Sequence, residues 1–238
     1  MTTIIGTAGW SLPRSVAERF PPEGSSLERY AARFRGAEIN SSFHRPHRAS
    51  TWARWAESVP TDFRFAAKLP KTISHQQKLV GCEHLVARFL EESAGLGDKL
   101  AILLLQLPPK LAFDAAPAED FLAMLGSYTM ARIVCEPRHP SWFEDEAGSL
   151  LVRLGVPRAA ADPAIVPAAA VPGGWPGLAY WRLHGSPVMY RSAYGTERIT
   201  DYAARIRNVA AAERWCMFDN TASSAATGDA LDLAARLY

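Results

Sequence analysis

A chain of 238 residues, 48% hydrophobic and 21% charged, is long and apolar enough for one full core, or two at most. Its formal charge of +2 argues against the concentrated basic face that wholesale nucleic-acid or membrane binding requires. The opening MTTIIGTAGW runs into a strand-like stretch without the basic and apolar pattern of a secretion signal, and the longest apolar runs, such as Leu100 to Leu107, are too short to cross a bilayer. Cys82, Cys135 and Cys216, widely spaced and odd in number, read as reduced core residues, so the expectation is a cytoplasmic protein with no membrane partner.

In chain order the strand-like runs are Thr3 to Ala8, Ala37 to Ser42, Phe63 to Lys68, Leu100 to Gln106, Arg132 to Glu136, Pro157 to Ala161, Leu178 to His184 and Arg214 to Phe218. They are short, apolar and bounded by polar residues, Gly or Pro, as strands buried in a parallel sheet are. Helical spacing fills most intervals: Ser26 precedes Leu27, Tyr30 and Ala31, Ser50 stands at the cap of TWARWAESV, and Pro117 opens AEDFLAML. Eight strands alternating with helices predict an α/β fold, a (β/α)8 TIM-type barrel in one domain over 1–238. The sixth unit, DPAIVPAAAVPGGWPG, is too rich in Pro and Gly for a full helix. An open doubly wound sheet is the competing architecture.

Barrel sites gather at the carboxyl ends of strands. Those ends carry Thr7, Gly9 and Trp10; Asn40, Ser42 and Phe43; Lys68; Gln106; Glu136, Arg138 and His139; Asp162; Arg182 and His184; Asp219 and Asn220. Alternation places Tyr180, Arg182 and His184 on one face, with Ala179, Trp181 and Leu183 on the other, so the charged set points inward. An unpaired charge there is costly, and Arg182 is expected to pair with Glu38 or Glu136, which is equally compatible with a purely structural role.

The blocks GTAGW, EINSSFHRP, FAAKLPKTISH, LLLQLPP, CEPRHPSW, YWRLHGS, a downstream YG and FDNTASSAA, in that order from Gly6 to Leu237, resemble the signature blocks of the YecE-like family, domain-of-unknown-function family seventy-two. The resemblance implies a TIM-type barrel and no assigned activity. Its recurring positions fall on Gly6, Gly9, Trp10, Asn40, Phe43, Lys68, His75, Gln106, Glu136, Arg138, Trp142, Arg182, His184, Gly185, Tyr194 and Asn220. Ser42, Phe43 and His44 stand where the family often has threonine and tyrosine, and Asp219 stands where a double asparagine is common. Such barrels are also similar to metal-using endonuclease IV and sugar-isomerase barrels. Lys68 and Gln106, however, occupy strand ends where a metal cluster wants acids, so the expectation is no metal.

No GxGxxG, Walker loop, CxxC or Gly-x-Ser-x-Gly elbow is present, and no cofactor is implied. Lys68, His75, Arg138, Arg182 and His184 suit phosphate or carboxylate, with Trp10, Phe43, Trp142 and Tyr194 as flat surfaces and Asn40, Gln106 and Asn220 as polar contacts. Gly185 and Ser186 are read either as a phosphate-binding backbone turn or as a plain tight turn. Glu136 or Asp162 is the candidate proton acceptor and His184 the candidate acid. The expected partner is an anionic small molecule, processed by a metal-independent hydrolase, lyase or isomerase if the protein is an enzyme. The alternative is a nucleic-acid-binding or phosphodiester-processing protein, suggested by RPHRASTWARW, in which Arg45, Arg48 and Arg54 surround Trp52 and Trp55.

Overall fold

The computed structural model describes residues 2–238. The eight expected strand positions are all strands. They are β1 (Thr2–Thr7), β2 (Gly36–Ile39), β3 (Arg64–Lys68), β4 (Leu100–Gln106), β5 (Arg132–Glu136), the run 157–162 divided into β6 (Pro157–Arg158) and β7 (Ala160–Asp162), β9 (Leu178–Leu183) and β10 (Glu213–Phe218). A short β8 (Gly173–Gly174) pairs antiparallel with β6; the other ladders are parallel. The helices between them are α1 (Ser26–Ala31), α2 (Ser41–His44), α3 (Ala49–Glu57), α4 (Glu83–Ser93), α5 (Ala115–Tyr128), α6 (Asp145–Arg153), α7 (Thr196–Asn208) and α8 (Ala226–Leu237). The sixth unit has only a 3₁₀ turn, Pro167–Ala170, because its prolines and glycines cannot sustain a helix. No helix among the described residues is long and apolar enough to cross a membrane.

The ladders form two arcs, β1-β10-β9-β7 and β2-β3-β4-β5-β6-β8. They meet at two seams. At one, the arcs share the single extended run 157–162: Cys135 on β5 pairs with Arg158, while Ala160 pairs with Trp181 on β9. At the other, β1 and β2 are joined near the mouth by an Ala8–Glu38 bridge and the Gly9 N–H donating to Glu38 O at 2.7 Å. Deeper in this seam the Tyr30 hydroxyl spans the gap, accepting from Thr7 N–H at 2.8 Å and donating to Gly36 O at 3.2 Å. Gly6 is needed here, since a Cβ on it would stand 2.2 Å from Gly36 O.

Local sequence explains several element ends. Ser25, one residue before the expected cap, forms a capping box with Glu28 at the start of α1. Arg48 rather than Ser50 precedes α3, and α5 begins at Ala115, ahead of Pro117. The second strand ends at Ile39 rather than at Ser42. Asn40 turns into helical geometry (φ −86°, ψ −22°), and the Ser42 hydroxyl donates to Ile39 O and Lys68 O, tying α2 onto the ends of β2 and β3.

Ala179, Trp181 and Leu183 face the helices in the main apolar core. Inside the barrel, a second apolar group built on Ile4, Ile102, Leu104, Val134, Leu178 and Trp215 fills the amino-terminal part. Along β9 the inward residues run Leu178, Tyr180, Arg182 and then His184, so the interior changes from apolar to charged toward the carboxyl ends of the strands.

Candidate functional site

The charged layer is built around Arg182, which is fully buried. Its Nε donates to Glu38 Oε2 at 2.9 Å, Nη1 to Glu136 Oε2 at 2.7 Å and Nη2 to Asp219 Oδ2 at 3.0 Å, with a further bond from Nη2 to Glu38 Oε1. Arg182 thus pairs with both of the acids expected from alternation, and with Asp219 as a third. Tyr180 Oη donates to Glu38 Oε2 at 2.9 Å, so the phenol also belongs to the network. The opposite charges make this layer tolerable in a barrel interior, where desolvation of a lone ion costs several kcal/mol, roughly.

Glu136 collects four partners. Besides Arg182, Gln106 Nε2 donates to its Oε2 at 2.9 Å, Arg138 Nη2 bonds its Oε1, and His184 Nε2 lies 2.9 Å from the same oxygen. Burial alone would push the Glu136 carboxyl up, but the Arg138 and Arg182 guanidinium groups and the histidine hold it well below the usual carboxylate range. Asp219 behaves likewise: burial opposes ionisation, while Arg182 and the hydrogen bond from His184 bring its carboxyl down. His184 Nδ1 stands 3.0 Å from Asp219 Oδ2, and since the carboxylate can only accept, that nitrogen carries the proton. Glu136, Arg138 and His184 therefore meet.

Lys68 closes the charged layer at the end of β3. Its side chain carries no hydrogen bond or ion pair to any described residue; Nζ instead lies 4.0 Å from the centroid of the Phe43 ring. Burial, with Arg182 nearby, pulls its ammonium down to about 8. His75 sits in a single π-helical turn, Thr72–Gln76, edge-on to Phe43 at 4.9 Å, with Nδ1 2.9 Å from Ser74 Oγ; burial and then Lys68 lower its imidazole. Asn40 Nδ2 reaches Asp219 Oδ1 at 3.3 Å and leaves its own Oδ1 buried without a partner, as is Arg138 Nε.

Tyr190 joins this mouth without any sequence signal. Its backbone, at φ 66°, folds back so that its N–H donates to His184 O and its ring stands edge-on to the imidazole at 5.7 Å. The residue remains 42% exposed.

Other expected site residues lie elsewhere or are committed to the protein. Trp142 is 1% exposed, packed against Phe113 with Nε1 donating to Leu111 O at 3.0 Å, so it offers no flat surface to a ligand. Trp10 packs edge-on against Trp55 and the outward-facing Phe65. Tyr194 is buried, and its hydroxyl accepts from the Gly185 N–H at 3.0 Å; this also occupies the amide that a Gly185-Ser186 phosphate turn would use. Asn220 Nδ2 is spent on Asp229 Oδ2 at 2.7 Å and Ser192 O at 3.0 Å. The Asp162 carboxylate turns to Arg198 on α7 and is bonded to none of the groups around Arg182. A strand-end position fixes where a residue begins, whereas neighbouring loops, strands and helices decide where its side chain goes: Phe113 and Leu111 hold Trp142, Phe65 and Trp55 hold Trp10, and Arg198 on α7 holds Asp162. Trp52 is likewise fully buried, with Trp55 against it, so neither supplies an open platform for a base.

Among the described residues no group of three or more His, Cys, Asp and Glu side chains stands as a metal-holding set. The acids of the charged layer are instead bonded to guanidinium groups.

Solved structures share this architecture. A DUF72 family protein from Enterococcus faecalis V583 superposes with a TM-score of 0.83 at 20% identity over 99% of this chain and 95% of that one. Another from Thermotoga maritima MSB8 gives 0.81 at 21% identity over 100% and 99%. A xylose isomerase-like TIM barrel fused to a 4-hydroxyphenylpyruvate dioxygenase gives 0.55 at 14% identity, over 100% of this chain and 42% of that one. These likenesses carry the fold. In sequence, the UPF0759 protein YecE of Escherichia coli K12 and its counterpart from strain O157:H7 are each 36% identical over 141 residues, 58% of this chain and 49% of theirs. The alignment thus spans about half the length of these curated relatives. Residues 4–238 match the family described as "Protein of unknown function DUF72", bearing out the resemblance read from the blocks, and the chain belongs to that family.

Proposed function

We propose that the mouth formed by Lys68, Arg138 and His184 binds a phosphorylated or otherwise anionic small molecule, and that His184 handles a proton on it. The observation that carries this reading is Lys68. Every other charged side chain of the layer has an opposite charge in contact, while this ammonium, largely buried at the mouth, has only an aromatic face. Glu136, Glu38 and Asp219 attract it from beyond contact distance without offsetting its burial and the nearby Arg182, and an anion bonded directly to the ammonium removes that penalty. Its lowered pKa has the same origin. The unpartnered Arg138 Nε adds a second donor.

For the proton step, Glu136 is a weak base because two guanidinium groups hold its charge. Its role in this reading is to fix Arg138, Arg182 and His184. His184 has the better claim: Asp219 orients its Nδ1, and Nε2 faces Arg138 and Glu136 at the edge of the mouth. Nucleic-acid binding is not taken further, because the tryptophans it would stack bases on are packed against the protein.

Calorimetric titration with phosphate and sulfate at low salt tests the reading. Binding of one anion per chain is expected, weakened at least tenfold in Lys68→Met. Absence of heat at millimolar anion, or equal binding by the variant, would overturn it.

A further inference from the structure

Lys68 is set apart from the other lysines. Lys71, Lys78 and Lys110 are exposed, and Lys99 donates from Nζ to Ala56 O at 2.5 Å and to Val59 O at 2.7 Å. Lys68 is 7% exposed, with no hydrogen bond or ion pair to any described residue. The strand carries it inward: Ala66, two residues earlier, belongs to the apolar group inside the barrel, and side chains two apart share a face. Its backbone is fixed from both sides, since Ser42 Oγ donates to Lys68 O at 2.7 Å and the Leu69 N–H donates to Leu104 O at 3.0 Å.

This setting suits the amine for more than its charge. A lysine in direct contact with a carboxylate stays protonated, which leaves no lone pair for bonding. Here the acids of the layer, Glu38, Glu136 and Asp219, are bonded to Arg182, and Nζ faces the Phe43 ring instead. Burial and Arg182 bring the ammonium down to about 8, so that about a tenth of it is neutral at pH 7. A desolvated lysine beside a second cation is an arrangement that activates an amine toward a carbonyl carbon.

We propose that Lys68 forms an imine with the substrate, a small aldehyde or ketone that carries a carboxylate or phosphate close to its carbonyl group. The inference rests on the anion reading above and names its substrate class. Nζ gives up one proton and bonds the carbonyl carbon, while the π pair of the C=O bond moves to the oxygen. The nitrogen then loses a second proton. The oxygen, having gained two, leaves as water, and the nitrogen lone pair closes the C=N bond. In sum an ammonium and a carbonyl give an iminium and water, with no oxidant, reductant or further reactant. The positive charge is back on Nζ at the end, so the anion that offsets the ammonium also offsets the iminium.

Reductive trapping tests this. The full chain is treated with borohydride in the presence of pyruvate, of dihydroxyacetone phosphate, or of acetone as the uncharged ketone, and intact mass and peptide mapping read the adduct. One reduced adduct per chain is expected on Lys68 with at least one of the two anions; pyruvate alone points to a carboxylate and dihydroxyacetone phosphate alone to a phosphate. Acetone should label Lys68 roughly 10- to 100-fold more slowly, the worth of one charge-assisted contact. Sulfate should protect Lys68, and Lys68→Met should show no adduct; should that variant fail to fold, the wild-type peptide map still locates the label. No adduct on Lys68 with either anion, or label confined to Lys71, Lys78 and Lys110, overturns the imine, and sulfate binding by calorimetry then leaves the anion site standing. Labelling by acetone as fast as by the anions overturns the substrate class. If neither sulfate binding nor an adduct is seen, the anion reading fails together with the imine.

Discussion

Arg138 Nη2 stands 2.6 Å from His184 Nε2, and that same imidazole nitrogen lies 2.9 Å from Glu136 Oε1. A single ring nitrogen accepts from the guanidinium when bare and donates to the carboxylate when protonated, so one proton selects between two partners. Arg138, His184 and Glu136 thus converge on one imidazole nitrogen.

Arg138→Ala should weaken anion binding by about 1.5–3 kcal/mol, the range of a charge-assisted hydrogen bond. The side chain is only 9% exposed, less open than a mouth arginine was expected to be, so a modest stability loss of about 1–3 kcal/mol accompanies it. Glu136 keeps Arg182 and Gln106, and the barrel stays folded. Titration calorimetry and urea unfolding on the same preparation read both effects. Unfolding at room temperature without denaturant would mark Arg138 as structural.

Sulfate binding should depend on pH through Lys68. Sulfate does not titrate near neutrality, so any change belongs to the protein. With the ammonium pulled down to about 8, affinity is expected to hold constant below about pH 7 and to fall roughly tenfold by about pH 9. Lys68→Met should remove this dependence along with most of the binding. A wild-type profile that is flat to pH 9 contradicts the assignment.

Glu136 and Asp219 are both held below their ordinary values of 4.5 and 3.8 in the folded state. Groups depressed in this way stabilise the fold above their unfolded values and lose that contribution as pH falls through the folded ones. The melting temperature should therefore be level from about pH 7 to 5 and drop below about 4. Glu136→Gln, which leaves Arg182 and Arg138 short of a buried counter-charge, should cost about 3–5 kcal/mol and flatten the acid limb. If the variant keeps wild-type stability but loses turnover on an identified substrate, Glu136 acts on the proton and not on the arginines.

Tyr30→Phe tests the β1–β2 seam. Removing the hydroxyl leaves the Thr7 N–H and the Gly36 carbonyl buried without it, at a cost of about 1–3 kcal/mol, and speeds amide exchange at Thr7. Unchanged exchange there would show that the Gly9–Glu38 bond alone holds the seam.

The strands were legible because buried parallel strands are short apolar runs with abrupt polar ends, and strict alternation placed Arg182 opposite Glu38 and Glu136. Alternation failed at Ser42, where the chain has turned into α2 and the Ser42 hydroxyl bonds the carbonyls of Ile39 and Lys68. Trp142 and Tyr194 follow strand ends, yet their rings are set by Phe113, Tyr202 and Phe218, partners remote in sequence that no local pattern reports. Tyr190 lies in a loop without periodicity, and only a left-handed backbone residue brings it over His184. Asp219 was visible as a strand-end acid, whereas its place between Arg182 and His184 depends on β9 and β10 being neighbours.

The central claim, an anion held between Lys68 and Arg138, is tested most directly by anomalous diffraction from crystals soaked in tungstate at low salt. The account predicts a peak at the mouth within hydrogen-bonding reach of Lys68 Nζ and the Arg138 guanidinium, absent from Lys68→Met crystals. Tungstate found only on exposed surface cations, with the mouth empty at saturating soak, would contradict it.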